Sequence, residues 1–208
     1  MARARFWGKK GSFEPSCEVN RNMLKSGVDP AILLNKYKSG FGRMIDMSIA
    51  QIMEKMIKYS DSNIHDIDHL IRVWTYAKTI GEQEHLDKDT QFVLEVAAIT
   101  HDIACPLCWE KYGNTNGKHQ EAEGAPLVRE FLSHTGMAEE QIARVAYLVG
   151  HHHTFHDIDG LDYQILVEAD YIANATENGY SKKNVENFMQ KIMKSESCER
   201  ILKAIFRI

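Results

Sequence analysis

Apolar residues recur with a helical period along most of the chain. Ile45, Met47, Ile49, Ile52, Met56 and Ile57 mark a helix from Met44 to Tyr59. Ile67, Leu70, Ile71, Trp74, Ala77 and Ile80 form the buried stripe of a second, from about 64 to 83, closed by Gly81 and the polar Glu82-Gln83-Glu84. A third, from about 90 to 103, is apolar on nearly all sides through Phe92-Val93-Leu94 and Val96-Ala97-Ala98-Ile99, which predicts the central, most buried helix. Residues 104 to 117 lose the period, and Pro106, Gly113, Asn114, Asn116 and Gly117 predict a long loop there. Further helices are expected at about 119–133, 139–151, 162–178, 181–195 and 196–206, the first of them broken or kinked around Gly124 and Pro126. Asp162 and Ser181 suit N-caps, and Gly136 and Gly179 suit C-terminal stops.

No apolar-polar alternation persists long enough for a sheet, and no internal repeat is visible. The pattern predicts an all-α, single-domain helical bundle over residues 44–208. Residues 1–43, rich in Gly, Lys, Arg, Asn and Ser with Pro15 and Pro30, predict a loosely ordered N-terminal extension.

Composition narrows the partners. At 208 residues and 44% hydrophobic content, one substantial core is the default. Twenty-five Lys and Arg against 29 Asp and Glu leave a net charge of −4, which offers no general attraction to nucleic acid or anionic lipid. The basic N-terminus has no apolar run behind it, so no secretory signal is read, and no stretch is read as a membrane helix. Four cysteines (Cys17, Cys105, Cys108, Cys198) and ten histidines fit a reducing interior, and the cytoplasm is expected. Cys105-Pro106-Leu107-Cys108 spells C-x-x-C but lacks a second knuckle or a βαβ context; two thiols in a loop are the simpler reading.

The chemistry concentrates in three helices. His69 and Arg72 lie in His69-Leu70-Ile71-Arg72-Val73, His101-Asp102 follows the apolar run of the third helix, and Asp170 interrupts a largely apolar helix. A charge behind or within an apolar run is costly unless paired or metal-bound. Mixed imidazole and carboxylate donors suit a borderline or hard divalent ion.

In this order (H-x-x-R-V, an apolar run into His-Asp, a late helical Asp) the chain resembles the HD-domain superfamily of metal-dependent phosphohydrolases over about 64–174. The resemblance implies a helical bundle with a metal site between helices, held by His69, His101, Asp102 and Asp170. It implies a divalent ion (Mn, Fe, Mg, Ni or Zn), one or two per chain. His119 and the cluster His151-His152-His153 look like ligands of a second ion, with His119 and His152 favoured, His153 close behind, and the register of the triple histidine open. The Gly-Tyr-Pro signature of the cyclic-dinucleotide-cleaving branch is absent, so that substrate is not implied.

A bound ion in such a site would polarise a phosphoryl oxygen and supply hydroxide near neutral pH. Asp102 is expected both to ligate and to orient the attacking water, and Arg72, Lys118 or Lys111 to pair with phosphate charge. The expected partner is a small phosphorylated substrate; neither nucleic acid nor membrane is expected, and homo-oligomerisation is left open.

Other histidines (His65, His85, His134, His156) are read as structural. His65 and His69 have the spacing of a zinc-protease helix, but Asp66 stands where that chemistry requires Glu. Glu82-Gln83-Glu84-His85 is a single Glu-x-x-His, where a di-iron carboxylate bundle needs two. Met53, Met56 and Trp74 are assigned to packing. A non-catalytic binding or signalling module and a di-iron oxygenase on the same fold are the alternatives to hydrolysis. The filled set of core ligands favours catalysis.

Overall fold

A computed structural model of the chain describes residues 47–208. The expected extension at 1–43 and the start of the first helix at Met44 lie outside the described residues. Within them the secondary structure is helical, without a strand: α1 (Ile49–Tyr59), α2 (Ile64–Gln83), α3 (Lys88–Thr100), α4 (Cys105–Tyr112), α5 (Gly117–Leu132), α6 (Glu139–Val149), α7 (Leu161–Glu177), α8 (Lys182–Lys191) and α9 (Glu196–Phe206).

Polar side chains set the helix starts. Ser48 and Gln51 close a capping box on α1, and Asn63, Asp87, Asn116, Ser181 and Ser195 each accept a backbone N–H of the first turn that follows. The all-round apolar reading of the third helix is met. Every residue of α3 from Val93 to Thr100 is buried, and the helix packs against α1, α2, α6 and α7. Leu94 and Ile99 have no exposed surface, and burial on that scale contributes about 1.5–3 kcal/mol per side chain. α7 is buried almost throughout, from Asp162 to Ala175, and lies against both α2 and α3. A carboxylate or imidazole on the buried faces of α2, α3 and α7, such as His69 or Asp170, therefore points into a shared interior.

The segment 104–117 departs from the expected loop. It contains the two-turn helix α4, with Pro106 in its first turn and Gly113 at φ 67° ending it, where Gly113 N–H donates to Trp109 O at 3.0 Å. Proline costs no hydrogen bond in a first turn and glycine favours a left-handed exit, so the residues that looked like loop punctuation are the two ends of a helix. Asp162 is likewise not an N-cap. Gly160 holds that position, and Asp162 sits inside α7, where its carboxylate accepts from Arg144 Nη2 at 2.7 Å and Nε at 2.8 Å. Pro126 lies inside α5 without ending it. The stretch 181–195 is helical only to Lys191, and Ser195 opens α9.

Lys88–Tyr112 is long and apolar enough to cross a membrane by length and composition, but 72% of its most apolar window is buried inside the protein, as a core helix would be.

Candidate metal centre

His69 belongs to the buried stripe of α2 that continues through Val73 and Ala77. It faces α7, whose Asp170 and Asn174 are both buried. His101 is the C-cap of α3, and Asp102 stands in the turn that follows. Leaving the helix at this point lets adjacent side chains converge, where a continuous helix would splay them by about 100°. His152 lies in the turn after α6 and is fully buried.

These elements bring their donors together. His69 Nε2 is 3.2 Å from His101 Nε2, 3.2 Å from Asp170 Oδ1 and 3.8 Å from Asp102 Oδ2. His101 Nε2 is 3.5 Å from Asp102 Oδ2 and 3.6 Å from Asp170 Oδ1. An ion about 2.1 Å from each donor would separate neighbouring donors by about 3.0 Å at right angles and about 3.4 Å in a tetrahedron. The spacing fits one shared ion.

Tautomers sharpen this fit. His69 Nδ1–H donates to Glu177 Oε2 at 2.9 Å, and His101 Nδ1–H donates to Ala98 O at 2.9 Å. Each neutral ring therefore turns an acceptor Nε2 inward. Two imidazole lone pairs then face one another at 3.2 Å between two carboxylates. Such an all-acceptor cluster is stable only around a proton or a cation.

The titration tendencies agree. Burial disfavours charge on His69, but hydrogen bonds to Asp170 and Glu177 outweigh it and hold its pKa well above the usual imidazole value. Burial likewise works against charge on Asp102 and Asp170. The surrounding histidines, His101 foremost, nevertheless hold both carboxyls below the ordinary carboxylate range. Proton and metal ion are alternative occupants of the same negative pocket.

A second donor group adjoins the first through Asp102. Its Oδ2 faces His69 and His101, whereas its Oδ1 lies 3.5 Å from His152 Nε2. His152 Nδ1–H donates to Val149 O at 2.8 Å, so this Nε2 too is an acceptor aimed at a carboxylate. His152 Nε2 and both ring nitrogens of His153 are buried without hydrogen-bond partners. Burial, then the neighbouring His152, pushes the pKa of His153 down to about 3, leaving a neutral ring with a free lone pair. Asp102, His152 and His153 offer ligand atoms within 4.8 Å of one another. Orphaned imidazole nitrogens beside a carboxylate fit a cation. Gly117 permits this packing, because a Cβ there would come within 2.8 Å of the His153 ring.

Other predicted site residues lie further out. Arg72 is half exposed, with Nε 3.8 Å from Glu177 Oε1. Lys118 is exposed in the first turn of α5, beside Gly117, and Lys111 is paired with Glu123 at 3.0 Å. His119 is not brought into either donor group; its ring stacks on Tyr112 with centroids 3.9 Å apart. Cys105 and Cys108 are buried on α4, and Cys105 Sγ donates to Gln120 Oε1 at 3.4 Å.

Glu177, Asn174 and Asp66 were not legible as site residues. Asn174 Nδ2 donates to Asp170 Oδ1 at 2.7 Å and steadies that carboxylate. Asp66, one turn before His69, lines a small cavity with Asp102, Met56, Leu70, Ile99 and Pro106. Burial, then the charge of Asp102, pushes its carboxyl upward, against weaker pulls from His65 and His69. The i, i+4 relation of Asn174 to Asp170 was the signal available for Asn174.

Comparison with known proteins agrees with this geometry. The sequence profile of the HD domain matches residues 66–175, more than half of the chain, and includes His69, His101, Asp102 and Asp170. The chain belongs to the HD-domain family. The structure is similar to the crystal structure of a predicted HD superfamily hydrolase from an uncultured Thermotogales bacterium. That similarity has a TM-score of 0.52 at 22% identity and covers 75% of this chain and 82% of the other, which is a likeness of fold. No curated protein matches the sequence.

Proposed function

We propose that the protein hydrolyses a phosphate ester of a small metabolite, a nucleotide or another phosphorylated compound, using one or two divalent cations. The observation that carries this reading is the inward-facing Nε2 pair of His69 and His101, 3.2 Å apart and flanked by Asp102 and Asp170. His69, His101, Asp102 and Asp170 would hold the first ion. Asp102, His152 and His153 would hold the second, with Asp102 shared through its two oxygens. A cation held there supplies Lewis-acid polarisation of phosphoryl oxygen and a low-pKa bound water.

The chain's own residues supply the rest. Asp102 would fix the direction of attack, a role supported by its carboxylate lying between the two donor groups. Arg72, half exposed one turn from His69, and Lys118, exposed in the first turn of α5, would serve as counter-charges for a phosphate dianion.

The carboxylate shared between two imidazole groups also suits a di-iron oxygenase, and the two readings separate experimentally. Purified protein is screened against nucleotides and simple phosphate esters with added Mn, Mg, Fe, Ni or Zn, and oxygen uptake is followed in parallel. The hydrolase reading expects release of inorganic phosphate with a divalent ion and no oxygen uptake. Oxygen uptake with two irons per chain and no phosphate release would replace it with the oxygenase. Metal binding with neither activity would leave the non-catalytic module.

A further inference from the structure

Three histidines of the centre are oriented in two different ways. His101 and His152 both follow a helix end, and each donates Nδ1–H to the carbonyl three residues back, Ala98 O at 2.9 Å and Val149 O at 2.8 Å. Carbonyls in a last turn lack a complete set of intrahelical partners, so they are free to orient a ring. His69 has no such recourse. It lies in the interior of α2, where the carbonyls of the preceding turn already accept backbone N–H groups.

Its partner comes instead from 108 residues along the chain. Glu177, the last residue of α7, accepts the His69 Nδ1–H through Oε2 at 2.9 Å, and its Oε1 faces Arg72 Nε at 3.8 Å. Arg72 lies one turn beyond His69 on α2, so the two groups facing Glu177 share one helix. Asp170 and Glu177, seven residues apart, stand on the same face of α7: the first turns its Oδ1 to His69 Nε2, the second its Oε2 to His69 Nδ1. One helix thus holds both nitrogens of a single ring.

We infer that Glu177 is a positioning residue: it fixes the Nδ1–H tautomer and the plane of His69, so that Nε2 is presented to the cation, with Arg72 steadying the free oxygen of Glu177. The inference rests on the reading that this cluster binds a divalent cation. A carboxylate behind a ligating imidazole also raises the ring's donor strength, which a backbone carbonyl does less well. Loss of such a partner ordinarily weakens metal affinity about 10–100-fold.

The test uses the full chain as wild type, Glu177→Ala and Glu177→Gln. Mn2+ affinity is read from the electron paramagnetic resonance signal of free Mn2+, and the His69 tautomer from long-range 1H–15N spectra of the metal-free protein at a pH above the titration of His69, where the ring is neutral. The alanine variant is expected to bind Mn2+ about 10–100-fold more weakly and to lose the pure Nδ1–H signature. The glutamine variant, whose amide oxygen still accepts the Nδ1–H, is expected to keep the tautomer and recover most of the affinity. Should the alanine variant fail to fold, Glu177→Met keeps the stem without the acceptor and carries the same comparison. Wild-type affinity and an unchanged His69 tautomer in a folded alanine or methionine variant would overturn the inference. Failure of the wild type to bind Mn2+ would instead count against the metal-centre reading. The tautomer measurement needs no metal and still decides the role of Glu177.

Discussion

Asp102→Ala is expected to lose at least about 100-fold in turnover of whichever phosphate ester the wild type hydrolyses, with its far-ultraviolet circular dichroism unchanged. The magnitude follows from position. Replacing a residue that merely orients a ligand costs about 10–100-fold, and Asp102 is itself shared between two donor groups, Oδ2 toward His69 and His101 and Oδ1 toward His152. Helical content is expected to survive because Asp102 stands in the turn after α3, outside the run Val93–Thr100 that forms the core contacts. Asp102→Asn, which keeps the shape and removes the charge, is expected to fall by a similar factor. Retained activity in either variant would count against the assignment.

Adding Mn2+ to metal-free protein is expected to raise its melting temperature by about 5–10 °C at 100 times the dissociation constant. Binding at that excess stabilises by about 2.7 kcal/mol, and a domain of this size gains about 2–4 °C per kcal/mol. Asp170→Ala is expected to abolish the increase, because it removes a carboxylate oxygen 3.2 Å from His69 Nε2.

The shift carries a pH dependence whose sign is fixed. For His69, burial is outweighed by its hydrogen bonds to Asp170 and Glu177; for His152, it is outweighed by Asp102. Both rings therefore titrate above the free imidazole value of 6.5. The stability they confer on metal-free protein is fully present below that value and lost as pH rises through their raised values. Asp102 and Asp170, with lowered pKa values, stay ionised across this window and add no slope. Protons and metal compete for the same nitrogens, so the Mn2+-induced increase is expected to grow as pH rises from below 6.5. Differential scanning fluorimetry across pH with and without Mn2+ measures both trends.

Local pattern made most of the bundle readable. The all-round apolar run of α3, the stripe of α2 and the caps at Ser181 and Gly179 are each set by residues within one or two turns. α4 was hidden because Pro106 and Gly113 are as compatible with a loop as with the two ends of a short helix, and eight residues give too little period to decide. Asp162 looks like a cap by type. Only the tertiary partner Arg144 shows that its carboxylate is used elsewhere.

The site divides along the same line. His101, Asp102 and Asp170 were readable because each puts charge or imidazole where an apolar pattern would not tolerate it unpaired, and His69 through the family resemblance of its H-x-x-R-V segment. The register of His151-His152-His153 was not readable. It depends on how the chain turns after α6, which buries the nitrogens of His152 and His153 and bonds His151 Nδ1 to Tyr147 O at 2.7 Å. Glu177 carries no local signal for His69, since the pair is brought together only by the packing of α2 on α7.

The central claim is that one cation is shared by donors from α2, the turn after α3, and α7. Anomalous X-ray diffraction from crystals grown with Mn2+ tests it most directly. The account predicts a manganese peak within about 2.3 Å of His69 Nε2, His101 Nε2, an Asp102 oxygen and Asp170 Oδ1. Manganese bound elsewhere, with these four side chains turned away from a common point, would contradict it.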